Sequence, residues 1–190
     1  GLQPETAELL GLLQEQTERM SRMTKALLEM SELRSIPCGD AVELGPLSEE
    51  VLTDLAPLAE DKDITLDCAG DALVIGSDTL LYRLVFNLVE NAIRYSRPGS
   101  TVNVSISDND SNVFLRVEDQ GPGIPKKYRE SIFQPFFRLD KSRSRAYGGA
   151  GLGLALVWEI AALHGGTVEV EESSENGTVM LVTLSKGATT

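Results

Sequence analysis

Residues 78–95, DTLLYRLVFNLVENAIRY, carry the reading of this chain. Leu80, Leu81, Leu84, Val85, Leu88, Val89 and Ala92 recur at intervals of three and four, an apolar stripe broad enough for a core helix. Asn87 and Asn91 share one face of that helix, with Glu90, Arg94 and Tyr95 alongside. Amides on a core helix are costly unless satisfied. Two readings stay open: the amides bond neighbouring backbone groups, the usual fate of a single buried asparagine, or the pair is kept for a ligand.

Downstream, residues 101–107 and 113–118 alternate in the strand period and are joined through Asn109, Asp110 and Ser111, a turn composition. A second helix is expected over residues 152–163, ended by Gly165 and Gly166, and residues 167–171 and 178–184 form a closing hairpin. Upstream, residues 41–44 suit a short strand and 47–61 a helix, with Ser48 ahead of Glu49 and Glu50 at its start. Residues 64–68 and 72–75 read as strands separated by the turn pair Gly70-Asp71. This order gives an α+β fold, a two-layer α/β sandwich whose helices cover one sheet face.

Before it, residues 5–34 hold no proline and a single glycine, Gly11, with apolar residues at Leu9, Leu13, Met20, Met23, Leu27 and Met30 and an interruption at Gln16. The spacing fits the seam of a helix packed against other helices, and it equally fits an ordinary amphipathic helix. Pro37, Cys38 and Gly39 break the pattern, so a linker is expected near residues 35–40, dividing the chain into residues 1–38 and 39–190.

With 190 residues, 42% of them hydrophobic, the chain can bury one substantial core and carry a small appendage. A net charge of −12 argues against a nucleic-acid surface, which needs clustered Lys and Arg to displace counterions from phosphates. Cys38 and Cys68 lie far apart without zinc-site or disulfide spacing, which suits a reducing, cytosolic setting. Asn103, Asn109 and Asn176 match the glycosylation pattern, a motif too common to carry weight alone. No apolar run reaches the roughly 18 to 20 residues that span a bilayer, and the first residues do not form a signal segment.

Two further features bear chemistry. Asp119-Gln-Gly121-Pro-Gly123 follows a strand directly; its glycines let the backbone approach a flat ligand, and its carboxylate can accept from an exocyclic amine such as that of adenine. Alone, the same pattern is often a plain turn. Gly148-Gly149-Ala150-Gly151-Leu152-Gly153 leads into a helix, where unpaired N–H groups and the positive end of the helix dipole suit phosphates. It is neither a P-loop nor the dinucleotide fingerprint, since no Gly-Lys-Ser/Thr follows and Leu154 stands in the third glycine's place. Between the two lie Arg138, Lys141, Arg143 and Arg145, a basic stretch that suits closure over anionic phosphates, or else a solvated loop.

In order, the Asn87/Asn91 pair, the Asp119 turn, the aromatic turn from Phe133 through Phe136 and Phe137 to Arg138, and the glycine-rich helix start resemble the N, G1, F and G2 boxes of histidine-kinase catalytic domains in the Bergerat, or GHKL, ATPase superfamily. The resemblance covers residues 41–185, and the helix before it resembles the second helix of that family's dimerisation and phosphotransfer bundle. It implies the Bergerat ATP-binding fold, a mixed sheet covered on one face by helices and preceded by a long N-terminal helix, together with binding of ATP and Mg²⁺.

Carried over by motif position, Asn91 ligates Mg²⁺ through its amide oxygen with Asn87 beside it; a cation that keeps several waters needs only one or two such ligands. Related ATPases hold a glutamate at the position of Asn87 to activate water, and an amide cannot be that base, so slow hydrolysis is implied. Asp119 recognises the adenine amine, with Gly121 and Gly123 shaping the pocket. Arg94, where the family has Lys, keeps positive charge toward the phosphates, and Tyr95 lines the base or ribose. Gly149, Gly151, Leu152 and Gly153 wrap the phosphates, with Ala150 where Thr is common. Arg138 stabilises charge on the transferred γ-phosphoryl, and Asn87, Glu90, Arg94 and Arg138 form the implied catalytic set.

The family's phosphoaccepting histidine sits in a His-Glu-x-x-x-Pro-like motif on the first bundle helix. The single histidine here, His164 in Leu163-His-Gly-Gly, reads instead as a structural helix-end residue. The implied activity is γ-phosphoryl transfer to a histidine supplied outside this sequence, without autophosphorylation of it, followed by relay to a response-regulator aspartate. The implied partners are the response regulator, the protein's own phosphoacceptor helix and a second copy in a homodimer; the implied setting is a cytoplasmic domain of a protein anchored in the bacterial inner membrane. Two other readings remain: a hydrolytic ATPase of the same superfamily, which Asn87 speaks against, and a non-catalytic ATP-binding or dimerisation module.

Overall fold

The computed structural model describes residues 11–139 and 151–187, apart from residues 12, 15, 18, 19, 22, 23, 25, 26 and 29. Its elements run β1 (Asp40–Glu43), α1 (Leu44–Glu60), β2 (Thr65–Ala69), β3 (Leu73–Gly76), α2 (Asp78–Tyr95), β4 (Thr101–Asp108), β5 (Asn112–Asp119), two 3₁₀ turns (Lys126–Tyr128 and Ser131–Phe133), α3 (Gly153–Leu163), β6 (Thr167–Ser174) and β7 (Gly177–Ser185). Five strands form a mixed sheet in the order β2-β4-β5-β7-β6, and β1 and β3 form a separate antiparallel pair. Only β2 and β4 run parallel; the other neighbours are antiparallel, with a bulge between Val170 and Glu172 of β6.

The sandwich follows from two periodicities. Val102, Val104 and Ile106 of β4 and Val113, Leu115 and Val117 of β5 are buried at every second position. On α2, Leu80, Leu81, Leu84, Val85, Leu88, Val89, Ala92 and Ile93 are buried on one side. The two sets meet in one core with α1 and α3, at roughly 1.5–3 kcal/mol for each large side chain taken out of water. Ser77 starts α2 with an extended backbone, and its side chain accepts from the N–H of Leu80.

Two sequence expectations need correction. Helix α1 begins at Leu44 and not at Leu47, and Ser48 lies inside it, fully buried, its hydroxyl without a hydrogen-bond partner among the described residues. The start is set from outside the helix: Asp71 Oδ1 accepts from Gly45 N at 2.7 Å, and Leu44 N donates to Ala72 O at 3.0 Å. Gly70-Asp71 accordingly does not turn a hairpin. β2 pairs with β4 and β3 with β1, so Asp71 sits at a change of sheet and is used as a remote cap.

The described residues between 11 and 33 are helical, and Leu13, Met20 and Leu27 are exposed. Leu9 and Met23 of the same expected seam lie outside the described residues. At the end of this segment Leu33 is buried in the core, Met30 and Ile36 pack against it, and Arg34 pairs with Glu159 of α3 at 2.9 Å.

Candidate nucleotide site

One face of α2 stays polar because the opposite face is spent on the core. Asn87, Glu90, Asn91 and Arg94 are all half-buried there. Asn87 Nδ2 donates to Arg83 O one turn back at 2.7 Å, which leaves Oδ1 as an acceptor. Asn91, one turn further on, makes no hydrogen bond among the described residues. Arg94 reaches back to Glu90, its guanidinium 2.7 Å from Oε1.

Each end of this face meets a glycine turn. At the Asn87 end the start of α3 comes so close that a Cβ on Gly153 would lie 2.9 Å from Asn87 Oδ1. At the Tyr95 end, a Cβ on Gly121 would lie 2.9 Å from both Tyr95 O and Asp119 Oδ1. Asn87 and Tyr95 are about 12 Å apart along the helix axis, so the polar face lies between these two close approaches.

Asp119 ends β5, and its Oδ1 accepts from Gly121 N at 2.8 Å. Its carboxyl pKa is raised, chiefly by burial; the N–H groups of Gly121 and Thr178 pull it down and neighbouring Glu118 pushes it up. The turn beyond it is held to the β6–β7 hairpin. Ile124 N donates to Ser173 Oγ at 2.7 Å, and Gly123, at φ +75, passes so near that a Cβ would fall 1.9 Å from Ser174 O.

The aromatic turn links to the second glycine segment: Phe136 N donates to Gly151 O at 2.8 Å, and the rings of Tyr128 and Phe137 meet at a tilt of 49° with centroids 5.7 Å apart. Gly151 has φ +75, the left-handed region. Leu152 and Gly153 follow at the first turn of α3, while Arg138 is exposed beyond Phe137. Lys141, Arg143, Arg145, Gly148, Gly149 and Ala150 lie outside the described residues.

A family model described as histidine kinase-, DNA gyrase B-, and HSP90-like ATPase matches residues 76–188. The chain belongs to this ATPase family. Within it, the sensor-like histidine kinase SenX3 of Mycolicibacterium smegmatis is 38% identical over 175 residues, which are 90% of this chain and 45% of SenX3. Among solved structures, the mycobacterial sensor histidine kinase MprB superposes with a TM-score of 0.68 at 30% identity, over 77% of this chain and 97% of that one. The catalytic domain of the histidine kinase ThkA gives 0.65 at 27% identity, over 77% and 97%. The chain is thus the ATP-binding catalytic domain of the histidine-kinase branch, and it spans less than half the length of the curated relatives it matches.

The structure therefore sets Gly153, with Leu152 before it, against Asn87, and Gly121 against Asp119 and the end of α2, at the two ends of the face that carries Asn87, Glu90, Asn91 and Arg94. Tyr95 is 60% exposed; its backbone carbonyl, not its ring, is the atom against Gly121. Sequence reasoning passed over Thr178 and Gly177, which close on Asp119 from the next strand. A Cβ on Gly177 would fall 2.0 Å from Asp119 O, and the only advance signal was the turn dipeptide Asn176-Gly177.

The donor set decides which cation fits. Among the described residues no three His, Cys, Asp or Glu side chains converge. Two amide oxygens on one helix face, neither accepting a hydrogen bond among the described residues, suit a hard cation whose other ligands are water and phosphate oxygens.

Proposed function

We propose that the polar face of α2 and the glycine turns at its two ends form a trough that holds ATP with Mg²⁺, and that the γ-phosphoryl passes to a histidine on a helix bundle outside this sequence. The carrying observation is the contact of Asn87 with Gly153 at one end of α2 and of Tyr95 O with Gly121 at the other. Asp119 accepts from the adenine amine, and Gly121 and Gly123 leave room for the ring. Asn91, with Asn87 beside it, would hold the cation, which would offset the charge of the phosphates. Arg94 and Arg138 supply positive charge to the phosphates. Gly149, Gly151, Leu152 and Gly153 lay backbone N–H groups and the start of α3 along them.

In the transfer, the bond from the γ-phosphorus to the β–γ bridging oxygen breaks and a phosphorus–nitrogen bond to the histidine ring forms, with ADP leaving. Glu90 takes the ring proton once Arg94 turns to the phosphates. Asn87 cannot deprotonate water, which favours transfer over the hydrolytic reading. The phosphoryl then passes to a response-regulator aspartate. Residues 1–38 belong to the dimerisation bundle and 39–190 to the catalytic domain, with a homodimer as the working form and an inner-membrane anchor elsewhere in the protein. Among the described residues no helix is long and apolar enough to cross a membrane.

The test is calorimetric titration of a non-hydrolysable ATP analogue with and without Mg²⁺, followed by radiolabel transfer from ATP to a separately supplied histidine-bearing bundle. Saturable, magnesium-assisted binding and acid-labile label on the bundle are expected. Binding without transfer would leave a non-catalytic nucleotide module, and release of free phosphate as the main product would favour the hydrolytic reading.

A further inference from the structure

Helix α2 ends without the usual closure. Its C-cap, Ser96, is extended at φ −64, ψ 151, and the next residue, Arg97, is not left-handed, so the chain does not fold back onto the last carbonyls there. Those carbonyls need partners from elsewhere. Lys62, in the connection between α1 and β2, supplies them: its Nζ donates to Ile93 O at 2.9 Å, Arg94 O at 2.8 Å and Ser96 O at 3.0 Å. An ammonium has three N–H groups, and all three are spent on this helix end.

The carbonyls of Arg94 and Ser96 flank that of Tyr95, the atom against which Gly121 is set. Ser96 Oγ accepts from Gln120 N at 3.3 Å, inside the Asp119 turn. The last turn of α2 is thus gripped by Lys62 on one side and carries the adenine-facing turn on the other. Lys62 is itself anchored, since its carbonyl accepts from Gly99 N at 3.0 Å and Thr65 N donates to Ser100 O at 3.0 Å.

We infer that Lys62 is a positioning residue of the nucleotide site: by gathering the carbonyls of Ile93, Arg94 and Ser96 it fixes the end of α2 against the Asp119 turn, and so sets the adenine pocket. This rests on the nucleotide reading above. With its donors committed to carbonyls, Lys62 is not a phosphate ligand. A mere charge at a helix C-terminus would add a little stability without needing three directed bonds.

The experiment titrates ADP by calorimetry, with and without Mg²⁺, into the intact chain and its Lys62→Met and Lys62→Arg variants, at a temperature where circular dichroism shows all three folded. If loss of the ammonium leaves about a tenth of molecules with the turn in place, Kd for ADP rises about tenfold in Lys62→Met. The rise is the same with and without Mg²⁺, because the fault lies at the base end, and Lys62→Arg recovers most of the affinity. Amides of residues 119–123 exchange faster in Lys62→Met, which a purely local role at the helix end would not produce. If Lys62→Met does not fold, Lys62→Gln, which keeps two N–H donors, gives the same readings with a smaller loss. Unchanged ADP affinity in the folded variant overturns the role of Lys62. Failure of the unaltered chain to bind ADP overturns the nucleotide reading, and this inference with it.

Discussion

Asn87 and Gly153 occupy each other's space: a Cβ on Gly153 would stand 2.9 Å from Asn87 Oδ1, while Asn87 Nδ2 is tied to Arg83 O at 2.7 Å. The amide therefore cannot swing aside without giving up a hydrogen bond. In Gly153→Ala the amide oxygen is pushed off the line on which it faces the trough. The helix itself tolerates the change, because alanine is preferred to glycine in a helix by about 1 kcal/mol. The expected outcome is a melting temperature at or above that of the parent, with affinity for an ATP analogue in Mg²⁺ about tenfold weaker, ~1.4 kcal/mol. Unchanged affinity would show that Asn87 Oδ1 does not face the nucleotide.

Asn91 separates binding from stability more cleanly. Its amide has no hydrogen-bond partner among the described residues and is only half-buried, so Asn91→Ala removes nothing the fold uses. Urea unfolding should shift by no more than about 0.5 kcal/mol. If Asn91 ligates the cation, the gain in nucleotide affinity on adding Mg²⁺ disappears in the variant, while the magnesium-free affinity stays. A magnesium gain of parental size would remove Asn91 from the cation site.

The Asp119 carboxyl makes binding and stability run in opposite directions with pH. Burial raises its pKa above the ordinary value of 3.8. Acceptance from an adenine amine needs the ionised form, so affinity for ADP falls as pH drops through the raised value. For stability the sign reverses: a carboxyl whose folded pKa exceeds its unfolded one binds its proton more tightly when folded, so its contribution is greatest below the unfolded value and is lost as pH rises through the folded one. Titrating ADP from neutral pH downward through the raised value should show affinity lost on acidification in the parent. Asp119→Asn should bind weakly and nearly independently of pH. Equal pH profiles in the two proteins would exclude the carboxylate as the adenine acceptor.

What the sequence disclosed divides by the range of the physics. The span of helix α2 was legible, since its apolar stripe and the polar Asn87–Arg94 face are local periodicity. The strands of the β4–β5 and β6–β7 hairpins were legible for the same reason. The start of α1 was not, because its cap is Asp71, far along the chain, and a local rule selects Ser48 instead. Nor was the partner of β2, since parallel pairing with β4 across α2 leaves no mark in either strand's own pattern. In the site, Asn87, Asn91 and Asp119 stood out as polar interruptions of apolar elements. Lys62, Thr178 and Gly177 did not, because a lysine in a polar connection and a threonine in a strand are unremarkable until the chain folds around them.

His164 is the residue on which the phosphotransfer reading is most exposed, being the single histidine in the sequence. It is 6% exposed at the end of α3. Nε2 accepts from Ser77 N at 3.1 Å, which fixes the ring proton on Nδ1, 2.8 Å from Ile160 O. Both nitrogens are thus engaged, and the ring lies so close to the backbone that a Cβ on Gly76 would fall 2.5 Å from its Cδ2. The nitrogen lone pair a phosphoryl group would need is already used at the start of α2. His164→Leu should leave the Ser77 N–H without a partner and cost about 1–3 kcal/mol in urea unfolding. Gly76→Ala should destabilise the same joint by a similar ~1–3 kcal/mol through overpacking. In both variants, radiolabel passed per folded molecule to a supplied histidine bundle should match the parent. Acid-labile label on the unaltered chain itself, abolished by His164→Leu, would instead make His164 an acceptor and overturn its structural assignment.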